Sequence, residues 1–126
     1  MSFGILPQSF ARGEAAAGRP DGAFRALEPY LDGSPADGFA HLATPDGDAD
    51  VFGIGSTGLM INRASGEFIW QLLVDVAVAG DYAIMPVGRP VCLVREDMKD
   101  DLPEEMRADA VVVRSGADVM KLVTDA

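Results

Sequence analysis

The sequence is poor in the side chains that most protein chemistry uses. Its 126 residues hold one cysteine, one histidine and one tryptophan, and ten basic residues against twenty acidic ones. With Cys92 alone no intramolecular disulfide can form, so a reducing, cytoplasmic setting is expected. Its neighbours Val91, Leu93 and Val94 make it read as a small buried hydrophobe. A nucleophilic thiol would need an electropositive, partly exposed setting. One Cys and one His would leave a zinc site to be completed by carboxylates, an uncommon ligand set, so no metal and no cofactor is expected.

Long apolar runs are lacking too. The longest, Phe68 to Ala79, is broken by Gln71 and Asp75. It falls short of the roughly 20 residues that span a bilayer. The first twenty residues lack a basic stretch followed by a continuous apolar one, so no secretory signal is expected. The shortage of cations leaves a formal net charge of -10, which repels nucleic-acid phosphates and anionic membrane surfaces. Neither is an expected partner, whereas a basic protein is compatible.

What is present suffices for a core. A hydrophobic share of 48% beside a charged share of 24% is that of an ordinary globular chain, and the length predicts a single domain over 1–126. Residues 1–34 read as a helical arm, partly flexible or used in oligomerisation. An Ala-rich helix is expected over Gln8 to Ala17, ended by Gly18, and a second over about Ala23 to Leu31, capped by Asp21 and cut short or bent by Pro29.

From Phe39 the pattern turns to strands. Phe39 to Ala43 and Val51 to Ile54 flank Thr44-Pro45-Asp46-Gly47-Asp48, a hairpin turn, and Leu59 to Asn62 adds a third strand. Ser65 is placed to cap a helix over about 66–79, with Gly80 as its left-handed stop. That helix is apolar nearly all round and must be covered on more than one side. A second hairpin follows, Tyr82 to Pro86 with Val91 to Arg95. Then come a charged stretch over 96–109, a short strand at Ala110 to Arg114, and a last helix capped by Ser115. The expected fold is α+β: an antiparallel sheet of five to six short strands in two hairpins and a meander, packed on one buried central helix with peripheral helices.

Motifs give little chemistry. Gly53, Gly55 and Gly58 spell G-x-G-x-x-G, but a phosphate site needs a helix opening across the third glycine, and here the helix starts after Ser65. Asp46, Asp48 and Asp50 make D-x-D-x-D, yet Val51 and Thr57 stand where a calcium loop requires glycine and glutamate. The aspartates read instead as a soluble turn. His41 with Ser56 or Thr57 lacks any spacing that suggests a triad, and serine follows Gly55 directly, so no nucleophile elbow exists. Asp75 is the one acid in an apolar setting, and is expected to point along the least buried edge of its helix or to pair with an arginine, Arg63 or Arg95. No catalytic residue is assigned.

Two functions remain. The first is a non-enzymatic protein-interaction module, self-associating as a homodimer or binding another, basic protein through its sheet face or the acidic 96–109 segment, in the manner of an immunity protein or inhibitor. The alternative is a small-molecule binder or enzyme with a pocket near residues 53–63, where Ser56, Thr57, Asn62 and Arg63 would supply polar contacts.

Overall fold

The Pro45-Asp46 turn closes as its composition predicts, joining β4 (Phe39–Thr44) to β5 (Gly47–Phe52) with Thr44 opposite Gly47. Proline sets φ at the first turn position, and aspartate suits the second. In this computed structural model, which describes residues 4–54 and 59–124, β6 (Met60–Asn62) pairs antiparallel with β5 and completes the expected meander. A further strand, β3 (Leu31–Ala36), precedes it and pairs with β4.

The N-terminal segment departs from expectation. Instead of a helix over Gln8 to Ala17 there is a hairpin of β1 (Ile5–Ala11) and β2 (Glu14–Ala16), turned at Arg12 and Gly13, both with positive φ. Over the described residues 4–34 the chain thus opens with a hairpin and only then turns helical. Alanine propensity favours a helix only weakly, and the packing of Phe10 against the buried Leu93 and Leu102 cluster outweighs it. The second helix is α1 (Pro20–Leu27). It gives way to a 3-10 turn at Glu28–Tyr30, so Pro29 ends the helix early, as its missing donor requires.

After α2 (Phe68–Gly80) come β7 (Ala83–Pro86) and β8 (Cys92–Leu93), the second predicted hairpin. The charged stretch then forms a 3-10 turn at Glu96–Asp101 and the short α3 (Glu104–Arg107). β9 (Val111–Val112) and α4 (Gly116–Thr124) finish the fold. The sheet has nine strands among the described residues, not five to six, in the order β3-β4-β5-β6-β1-β7-β8-β9, with β2 joined to β1. All pairings are antiparallel except β8 with β9. β1 is an interior strand, holding β6 on one side and β7 on the other.

Helices α1, α2 and α4 lie together on one face, in contact with one another through α2, which also touches β1, β5 and β7. Ile69, Leu72, Leu73, Val76 and Ala77 of α2 are buried. Its exposed edge is Gln71, Asp75 and Val78, one stripe at helical spacing. Gln71 donates to Asp75 across one turn at 3.1 Å, while Arg95 pairs with Asp81 and Asp97. Asp75 thus lies on the exposed edge of its helix with Gln71 beside it, the first of the two expected placements, and Arg95 is engaged elsewhere. Two glycines set how closely the helices pack. A Cβ at Gly22 would strike the Ala79 carbonyl, and one at Gly116 the backbone of Gln71.

A second, smaller core forms on the opposite face, at one end. Ala83, Leu93, Met98 and Leu102 are buried there, where the 3-10 turn at Glu96–Asp101 covers the β7–β8 end of the sheet. The 96–109 segment is in this way part of the fold. Arg107 donates to the Leu102 and Asp100 carbonyls, and Asp101 accepts from the backbone N–H groups of Arg12 and Gly13.

Candidate functional site

Asp46 shows how the D-x-D-x-D turn is used. Its carboxylate accepts the N–H groups of Glu67 at 2.8 Å and Phe68 at 3.3 Å, the first free donors of α2. The helix is therefore capped from the hairpin 21 residues earlier rather than by Ser65. Ser65 turns the other way: its hydroxyl donates to Asp48 Oδ1 at 2.8 Å and accepts from the Asp48 N–H. At the far end Gly80 is the last helical residue and Asp81 adopts the left-handed conformation expected of Gly80. These contacts hold the Asp46 carboxyl below its ordinary pKa, chiefly through the Glu67 N–H. A depressed carboxylate contributes stability that is present above its unfolded pKa and lost as pH falls through the folded value. Asp46→Ala is expected to lower the melting temperature by several degrees at neutral pH, Asp46→Asn by less, and the gap from wild type to close in acid; thermal denaturation against pH checks it.

The second and third aspartates belong to the uncovered part of the sheet. Along β4 Leu42 lies in the large core and Ala40 is buried opposite core residue Val51, so Phe39, His41 and Ala43 face away. Register continues this outward set across the neighbouring strands. His41 stands opposite Asp32 of β3 and Asp50 of β5, and Asp50 opposite Asn62 of β6. The His41 ring is held between two carboxylates, Nδ1 3.0 Å from Asp50 Oδ1 and Nε2 3.2 Å from Asp48 Oδ2. Its pKa rises above 6.5, chiefly through the Asp50 hydrogen bond, which burial partly opposes, with the charges of Asp48, Asp50 and Asp32 adding to the rise. A raised histidine contributes stability that is complete below the unfolded pKa near 6.5 and lost as pH rises through the folded value. NMR titration of the ring is expected to give a midpoint above 6.5 that returns toward it in Asp50→Asn.

Beside this polar row runs an apolar one. Phe39 and Phe52 are 40% and 41% exposed, with ring centroids 5.0 Å apart. Phe52 pairs with Met60, which is 38% exposed. The Ile5–Ile61 pair, stepped by one residue, sets Leu6 opposite Met60, and Leu6 pairs with Met85 on its other side. Neither core includes any of these five side chains. Large apolar residues scattered singly on a surface are ordinary, whereas these five follow one another across five neighbouring strands.

Of the contacts expected near 53–63, Asn62 lies on this face and donates to Met60 Sδ at 3.4 Å. Arg63 is exposed just beyond β6 with φ 55°. Ser56 and Thr57 lie outside the described residues. The cavity that Ile54 and Leu59 line holds about 10 Å³, the scale of one water and far below a ligand site. A larger open groove of about 400 Å³ lies at the other end, between β9 and α4, lined by Val111, Val113, Lys121 and Leu122 among others. Among the described residues, no group of three or more His, Cys, Asp or Glu side chains is placed to hold a metal ion. Cys92 is fully buried, and burial pushes its thiol up to about 11, the state of a packing residue. No helix among the described residues is long and apolar enough to cross a membrane.

Reasoning from the sequence overlooked Phe39, Phe52, Met60, Leu6 and Met85 as a set. The signal for the first two is the strict alternation of β4 and β5; Leu6 and Met85 join only through pairings of β1 that no local pattern displays. Comparison with known protein families, curated proteins and solved structures finds no match to this chain.

Proposed function

We propose that this chain is a small acidic protein-interaction module without catalytic function, docking through the uncovered face of its sheet. The observation that carries the reading is the apolar row of Phe39, Phe52, Met60, Leu6 and Met85, which stands outside both cores and follows neighbouring strands, whereas the other exposed large hydrophobes, Val78, Val87 and Val111, lie outside that row. The reading takes α2 as the central helix, with α1 and α4 peripheral to it. Because these cover its sides within one chain, the apolar helix needs no second subunit to cover it. Self-association would use the sheet face instead. A buried cysteine and a net charge of -10 fit a cytoplasmic partner-binding role of the immunity or inhibitor type.

The test compares wild type with Phe52→Ser as immobilised baits, together with sedimentation velocity of each. Proteins retained by wild type and lost from the variant, or a wild-type dimer that the variant dissolves, support the reading. Equal retention and equal sedimentation by two equally folded proteins would remove it.

A further inference from the structure

The kind of partner can be read from the two rows together, given that the sheet face is the docking surface. We infer that the face receives a basic amphipathic helix of another protein, laid across the strands with its apolar stripe on the Phe39–Met85 row and its Lys or Arg side chains over Asp32, Asp48 and Asp50.

The dimensions suit a helix. From β4 to β7 the row crosses five neighbouring strands, or four gaps of about 4.8 Å, about 19 Å in all. Helix turns repeat every 5.4 Å, so about three and a half turns, some 13 residues, would set one apolar side chain near each strand. Asp50 lies two residues from Phe52 along its strand, about 7 Å to the side, as do His41 from Phe39 and Asn62 from Met60, and Asp48 lies two residues further along β5 with its carboxylate turned to the His41 ring. An offset of about 7 Å is within reach of a long cationic side chain on the flank of a helix about 10–12 Å across.

An extended peptide fits worse. Its backbone donors and acceptors would lie flat on a face that offers side chains, whereas a helix satisfies its own. Strand addition would need an open edge, and β3 at the near edge carries Asp32, Pro35 and a register shift that discourage it.

Charge selects between the remaining occupants. The polar row presents three carboxylates around one histidine, in a chain of net charge -10. A second copy would bring another -10 to the interface, and an anionic membrane would be repelled in the same way. A helix bearing Lys or Arg beside the apolar stripe is complementary to both rows. His41 reports on the encounter because its ring lies between Asp48 and Asp50.

The experiment uses the full chain and two designed 14-residue helical peptides, identical in their leucine and tryptophan stripe, one flanked by lysine and arginine and one by glutamate. Titration is followed by NMR at the Met60 and Met85 methyl groups and at the His41 ring. The basic peptide is expected to shift all three signals, to bind more weakly as salt rises, and to lose at least tenfold in affinity for Asp32→Asn/Asp50→Asn. The acidic peptide is expected not to bind. Equal binding of both peptides to the face would overturn the charge assignment while leaving the docking surface itself intact. Self-association that protects Met60 and excludes the basic peptide would assign the face to a second copy. Failure of the basic peptide to bind at millimolar concentration, or shifts confined to the β9–α4 groove, would reject the inference even where baits still capture a partner through Phe52.

Discussion

Gly116→Val is expected to destabilise the protein by about 1–3 kcal/mol or more, an effect of overpacking with no compensating contact. Gly116 opens α4 where that helix meets α2, and its N–H donates to Gln71 Oε1 at 2.9 Å. A Cβ there would overlap the backbone of Gln71 and Trp70, which no rotamer change can relieve. Relief requires α4 to move off α2, exposing Val119 and Val123, both buried in the large core. Denaturant unfolding checks the size of the change. A variant as stable as wild type would show that α4 is not seated on α2 as described.

Phe52→Ser is expected to do the reverse: it should cost little stability and most of the binding. Phe52 is 41% exposed and outside both cores, so its loss removes chiefly the edge contact with Phe39, about 0.5–1.5 kcal/mol. Flanked in the row by Phe39 and Met60, an aromatic anchor of this kind contributes about 2 kcal/mol or more to affinity, roughly thirtyfold. Isothermal titration against the captured partner, beside a melting curve of the variant, separates the two effects. Loss of affinity in step with loss of fold would mean that Phe52 is structural.

How far the sequence discloses this arrangement depends on how local each feature is. The Pro45-Asp46 turn, the helix over α2 and the β7–β8 hairpin are legible because their signals lie within a few residues. Segment 5–16 is misleading because Gln8 to Ala17 favours a helix by propensity, with Pro7 and Gly4 arguing against a strand; its place between β6 and β7 depends on residues more than 50 positions away. Capping shows the same limit. Ser65 and Gly80 are the conventional residues in the right places, but a carboxylate from a distant hairpin reaches the helix first, and Asp81 takes the left-handed turn. The candidate site is half legible. Alternation along β4 and β5 assigns Phe39, His41, Asp50 and Phe52 to one side, but which side stays bare follows only from the placement of α1, α2 and α4 together on the other.

The central claim is that the helices and the 96–107 segment leave the Phe39–Met85 row open to solvent. Methionine methyl relaxation in the presence of a soluble paramagnetic probe measures this directly in the isolated chain. Met60, which is 38% exposed, is expected to relax fastest, the half-buried Met85 next, and Met98, 8% exposed in the smaller core, slowest. Met60 and Met85 as protected as Met98 in the monomer would contradict the account, because the face would already be covered by the chain itself.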